Sequence, residues 1–244
     1  MVGKSTVGLS RLVALRHELD ALANNIANQT TVGFKAKRIL FREYLSEKKA
    51  TDDPFKRDPQ VSLVQASAGF TDFSDGALKS TGSPLDVAIV GEAFFVVKTA
   101  AGERYTRDGA FKLDGAGRLV TSGGDPVLTT SGPITLSPQD GEAWIAADGT
   151  VLTPKGPRGQ LRLVRFADPQ TLRAEGGNLF GSSRQPTEIR ADQVRLAAGV
   201  LETSNVQPAL EMSRVMEVTR AYDFVASAVM KSKDNDELKL LSNF

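Results

Sequence analysis

From Leu12 to Ile26 the apolar positions are Leu12, Leu15, Leu19, Leu22 and Ile26, at spacings of 3, 4, 3 and 4 residues. That spacing lays one apolar stripe along a helix, and Arg11, Arg16, His17, Glu18 and Asp20 fall off it. The pattern predicts an amphipathic helix that Asn24, Asn25 and Asn28 weaken and Gly33 ends. The same spacing returns in Val215, Val218, Tyr222, Val225 and Val229. Ser204 followed by Gln207 has capping-box spacing, and Pro208 is tolerated only in a first turn. The second helix is therefore expected to start within 204–208 and to run to about Leu241, with Asp234–Glu237 its weakest stretch. Each seam covers about two heptads, a length at which an isolated helix is marginal in water. The seams suggest pairing with each other or with other chains, and on spacing alone ordinary amphipathic packing on a globular core is the stronger alternative.

Between the ends the period shortens. Leu85–Val90 and Phe94–Thr99 are rich in Val, Ile and Phe and are separated by Gly91. Turns at Ala101-Gly102, Asp108-Gly109, Asp114-Gly115 and Gly123–Pro126 then separate Glu103–Thr106, Phe111–Leu113, Leu119–Thr121 and Val127–Thr129. Further strands are expected at Ile134–Leu136, Ala143–Ala146, Thr150–Leu152 and Leu161–Phe166. Short strands at such intervals predict an all-β sandwich or barrel-like module, and the class as a whole is α+β. Residues 46–84 fit neither period. Lys48–Pro59 is charged with little to bury, and Val61–Thr81 holds extended pieces punctuated by Gly69 and Gly76. The stretch reads as a long connection that orders against a partner.

Composition narrows the chemistry. Among 244 residues there are 30 Lys and Arg against 29 Asp and Glu, a net charge of +1, which gives no electrostatic case for nucleic acid. The absence of Cys excludes disulfides, thiolate metal sites and a Cys nucleophile, and the single His17 excludes any site needing two imidazoles. Gly3-Lys4-Ser5-Thr6 imitates the end of a phosphate-binding loop, but only two residues precede it and no strand can hold it. Asp108, Asp114, Asp125, Asp140 and Asp148 each lie beside Gly or Pro, where turn chemistry already explains a carboxylate and a glycosidase pair is the weaker reading. No apolar run approaches the roughly 18–20 residues of a membrane span, and Lys4, Arg11 and Arg16 spoil a secretory signal. No metal or cofactor site has credible spacing, and the expectation is a protein that is not an enzyme. The 12 Phe far outnumber one Trp and three Tyr, which argues against a sugar-binding platform on a β-rich ligand-binding or adhesive module, the reading from another class.

Three stretches carry a resemblance. Ala23-Asn24-Asn25-Ile26-Ala27-Asn28, followed by Thr31, Gly33, Phe34 and Lys35, is similar to the N-terminal signature of the bacterial flagellar axial proteins, the rod and hook family. Gly82–Ile89, Gly91–Val97, Tyr105–Phe111 and Gly117–Thr121 resemble its β core. Gly199–Glu202, Ser204, Asn205 and Val206, with Glu211-Met212 and Arg220-Ala221-Tyr222, resemble its C-terminal signature. Thr30, Val32 and Asp223 stand where the family often has Asn, Thr and Glu. Length and the stretch Gly8–Asp20 look most like the F-type proximal-rod branch, with the distal-rod branch a close rival and hook proteins usually longer.

The resemblance implies a discontinuous N- and C-terminal helical, coiled-coil-like domain with an inserted all-β module. The expected parts are an N-terminal helix within 1–45, a linker over 46–84, a β module over 85–196 and a C-terminal helix within 197–244. It further implies a structural rod subunit, located at the basal body in the periplasm, that transmits motor torque. Its expected partners are copies of itself, other rod proteins and the flagellar type III export apparatus, with no cleaved signal. The expected assembly surface comprises Leu12, Leu15, Leu19, Leu22 and Ile26 with Val215, Val218, Tyr222, Val225 and Val229, together with Asn24, Asn25, Asn28, Gly33, Phe34, Ser204, Asn205 and Val206.

Overall fold

The N-terminal seam lies on helix α1 (Val2–Ala27), which starts ten residues before Leu12. Gly3–Thr6 are helical, so the run that imitates a phosphate loop holds no loop. The helix ends at Ala27 and not at Gly33, because Asn28–Thr30 already turn, with the Thr31 amide donating to the Asn28 carbonyl. Gly33 has another task. Its φ is +66°, and a Cβ there would stand 2.5 Å from the Arg107 backbone, so the position demands glycine for a close approach. The C-terminal seam lies on helix α2 (Pro208–Leu241), which begins with Pro in its first turn as expected and continues through Asp234–Glu237. This computed structural model describes residues 2–46, 61–190 and 193–241.

The chain forms two compact units. The first comprises Met1–Ala27, Lys37–Asp72 and Gln207–Phe244. It holds both helices and a hairpin that the periodic patterns did not foretell, β1 (Lys37–Ser46) with β2 (Val61–Thr71). The strands pair antiparallel from Lys37 opposite Thr71 to Ser46 opposite Val61, with a bulge between Ile39 and Leu40. The charged stretch Lys48–Pro59 lies outside the described residues. Gly8 of α1 meets the Val229 side chain, and Asn25 meets Glu211, so α1 and α2 pack antiparallel. On α2 the expected seam faces inward, with Val218 and Val225 buried and Val215, Tyr222 and Val229 half-buried. On α1 the most buried row is Ala14, Leu22 and Asn25, while Leu12, Leu15, Leu19 and Ile26 are half-buried. Gly8 continues the leucine row one step before Leu12, and its missing side chain leaves room for Val229, while α1 also packs on β1 and β2.

The second unit comprises Asn28–Ala36 and Phe73–Val206 and is mostly β. After β3 (Leu78–Ser80) and β4 (Val87–Val90), the strands β5 (Phe94–Thr99) and β6 (Gly102–Thr106) form the centre of a six-stranded antiparallel sheet. Leu163–Arg165 and Thr187–Ile189 extend it on one side, Leu179–Gly181 and Arg173–Gly176 on the other. The apolar run Ala93–Val97 has its explanation here. Phe95 and Val97 enter one core with Ile89, Leu119 and Leu163, while Phe94 and Val96 enter a second core with Val164, Phe166 and Phe180. A strand covered on both faces needs no polar alternation. Phenylalanine dominates because the rings pack edge to face, as in Phe95–Phe111 at 5.1 Å and Phe94–Phe166 at 5.8 Å. Ile134 and Leu136 reach the core without forming the expected strand, and the pairing falls to Gly132–Pro133 against Leu128–Thr129.

Candidate assembly site

The signature stretches from the two chain ends meet twice, once in each unit. In the first unit Asn25, fully buried on α1, uses its carboxamide as a three-way clamp. Its Oδ1 accepts from the Lys37 amide at 2.8 Å, and its Nδ2 donates to the Lys37 carbonyl at 2.9 Å and to Glu211 Oε2 at 3.1 Å. Glu211, also fully buried in the first turn of α2, accepts at its other oxygen from Arg38 Nη1 at 2.5 Å. One amide thus ties α1, β1 and α2 together, and its donors and acceptors match only at one register. A carboxylate in the first turn of a helix also suits the helix dipole.

In the second unit Glu202 is the centre. Its Oε1 accepts from Lys35 Nζ at 2.6 Å and from the Gly76 amide at 2.7 Å, and Lys35 Nζ donates also to the Ser74 carbonyl at 2.7 Å. The Gly33 amide donates to the Glu202 carbonyl at 2.8 Å. Arg107 Nη1 stands 3.6 Å from Asp75 and 3.7 Å from Glu202, beyond hydrogen-bonding reach, and its guanidinium lies 5.0 Å over the Phe94 ring. The charge is held by its neighbours' field and by the ring face. Burial lowers the Lys35 and Arg107 values below their ordinary ones, with Glu202 opposing the shift in both. The three signatures therefore converge on one ionic cluster: Lys35 from the first, Arg107 from the second and Glu202 from the third.

The remaining expected residues fall around these clusters. Phe34 and Val206 pack together with Ala36, and Asn205 Oδ1 accepts from the Ala36 amide at 2.8 Å. Ser204 Oγ accepts from the Val206 amide at 3.3 Å. Asn24 is exposed, and Asn28 Oδ1 accepts from the Thr31 hydroxyl at 3.2 Å at the end of α1. Pattern reading missed Lys35, Arg38, Arg107, Glu202 and Glu211 as site residues. The available signal was a charge next to apolar or glycine neighbours, as in Gly33-Phe34-Lys35-Ala36 and Val200-Leu201-Glu202. The turn reading of the carboxylates holds at Asp108, Asp114, Asp140 and Asp148, which accept from the amides of Ala110, Ala116, Ser137 and Thr150. Among the described residues no helix is long and apolar enough to cross a membrane.

Comparison with known proteins gives three family matches along the chain. The flagella basal body rod protein model matches residues 6–35, the flagellar hook protein FlgE/F/G D1 domain 88–153, and the flagellar basal body rod FlgEFG protein C-terminal model 197–240. The flagellar basal-body rod protein FlgF of Caulobacter vibrioides is 38% identical, with 90% of this chain and 89% of the relative covered. FlgF of Mesorhizobium japonicum is 35% identical over 97% of both chains. The flagellar basal-body rod protein FlgG of Bacillus subtilis is 32% identical over 93% of this chain and 94% of the relative.

Proposed function

This chain belongs to the flagellar basal-body rod protein family, and we infer from that premise that its subunits stack helically through their paired terminal helices in the proximal segment of the rod. It is a structural rod subunit similar to the F type. The observation that carries the assembly reading is the incomplete burial of the end helices. Leu12, Leu15, Leu19, Ile26, Val215, Tyr222 and Val229 remain half-exposed after α1 and α2 have packed on each other. Apolar surface left half-covered finishes its burial against other chains, and a heterologous contact that does not close generates a filament. The helix pair acts as a coiled-coil-like stacking domain. Asn25 fixes the helix pair to its hairpin, Gly33, Phe34, Ser204, Asn205 and Val206 order the second unit, and the exposed Asn24 with the half-buried Asn28 adds polar contacts.

On this reading the chain does no catalysis. It leaves the cytoplasm through the flagellar type III apparatus, occupies the periplasmic part of the basal body, and passes torque to the next rod subunits through its packed helices. The test is cryo-microscopy of basal bodies from cells in which this chain carries a density label. Density in the proximal segment of the rod is the expected result. Label confined to the distal segment would move the chain to the FlgG-like position, and label absent from the rod would overturn the reading.

A further inference from the structure

The helix pair has a second apolar pattern, on the sides of α1 and α2 turned away from each other. On α1 the exposed residues Leu9, Val13, Arg16, Asp20, Ala23 and Ala27 follow spacings of 4, 3, 4, 3 and 4. On α2 the exposed residues Met212, Met216, Arg220, Asp223, Ser227 and Met230 follow spacings of 4, 4, 3, 4 and 3. At about 100° per residue each set occupies one narrow face, so each helix carries two stripes. Leu9 and Val13 are 59% and 50% exposed, and Met212, Met216 and Met230 are 52%, 56% and 67% exposed. The chain has four Met, and every one after Met1 lies on this face of α2. An unbranched thioether adapts to an uneven partner, which is why Met recurs at surfaces made to be covered.

We propose that the outward stripe of α2 packs antiparallel against the outward stripe of α1 from a second copy of this chain. The occupant is identified by complementarity in one register. Setting Asp20 opposite Arg220 brings Arg16 opposite Asp223, so both charge pairs have the right signs. The same register places Ala23 and Ala27 opposite Met216 and Met212, small against large, and Leu9 opposite Met230. Val13 falls opposite Ser227. Phe224, 77% exposed, flanks the stripe and covers its edge. Because α1 and α2 of one copy offer different faces, the contact is heterologous and repeats from copy to copy. This proposal rests on the rod reading and adds to it the face, the partner helix and the register.

The chain has no Cys, so single cysteines report contacts without background. Two full-length populations, one carrying V13C and the other S227C, are co-expressed in flagellated cells, and isolated basal bodies are oxidised. Cross-linked V13C–S227C heterodimers are expected at least tenfold above a control pairing of S227C with K98C. S227C homodimers in excess of heterodimers would overturn the proposal, since the face would then pair with itself. Heterodimers no more abundant than the control, in rods that contain both chains, would overturn it and leave the rod reading standing. Rods that contain neither chain would sink the rod reading. A second variant, M216E, alters an exposed position, and its urea midpoint checks that it folds. At least a tenfold loss of incorporation into rods at an unchanged midpoint is expected, and incorporation equal to the parent's would overturn the proposal.

Discussion

At the residue scale, a buried carboxamide, Asn25, and a buried carboxylate, Glu202, hold the signature stretches together, and each makes a prediction. Asn25→Ala removes three hydrogen bonds and leaves the Lys37 backbone groups and one oxygen of Glu211 without that partner. A loss of about 2–4 kcal/mol is expected, because buried polar groups stripped of partners lose their full desolvation compensation. Urea unfolding of the whole chain, monitored by circular dichroism, measures it, and a change under about 0.5 kcal/mol would contradict the clamp. Glu202→Gln leaves Lys35, whose side chain is fully buried, without its counter-ion. The expected cost is about 3–5 kcal/mol, since removing one partner of a buried ion pair strands the other charge. Glu202→Gln together with Lys35→Met is expected to recover part of that loss, and a double-mutant cycle would detect the coupling.

At the element scale, the packing of α1 on α2 sets a pH dependence. Glu18 is partly buried and lies in the field of Arg214 and Glu217. Burial raises its value above the ordinary one, Arg214 pulls it down and Glu217 adds to the rise. The folded state then binds this proton more tightly than the unfolded chain. Stability from this group is fully present below the unfolded value and is lost as pH rises through the folded value. Glu18→Gln is therefore expected to raise the thermal midpoint at pH 7 and to leave it nearly unchanged near pH 3. Equal shifts at both pH values would refute the linkage. In the loop after α1, Gly33→Ala faces both the strain of a left-handed residue and a collision with the Arg107 backbone. A loss of more than about 2 kcal/mol is expected, well above the usual effect of a loop substitution.

At the scale of the whole molecule, near-neutrality decides how subunits attract each other. With a net charge of +1, long-range steering is weak and association rests on apolar burial with a few local charge pairs. Raising NaCl from about 0.05 M to about 0.5 M is expected to change the self-association constant by less than about threefold, because the screened long-range term is small. Sedimentation equilibrium reads this directly, and a tenfold loss would mean that charge drives assembly.

The helices, most of the short strands and the turn roles of the Asp residues were legible in the sequence, because each depends on near neighbours. The spacing of valines along α2 identified its buried face, and Pro208 marked its start. The hairpin of β1 and β2 was not legible. Its pairing joins residues as far apart as Lys37 and Thr71, and neither strand advertises a period of two with a tight turn between. The deep burial of Asn25 on α1 also escaped, since its partners Lys37 and Glu211 lie 12 and 186 residues away along the chain.

The sequence by itself determined the class of the elements, the chemistry this chain lacks and its membership of a rod-building family. Periodicity, composition and signature wording are properties of local runs, and they survive without coordinates. Only the tertiary structure decided which positions of α1 are most deeply spent inside the chain and which are left over. That choice depends on Asn25, Glu211 and Arg38 fixing one register through buried hydrogen bonds. It also depends on which small residues allow close approach. A one-dimensional pattern lists apolar positions, but it cannot say which of two stripes a partner helix from the same chain will cover.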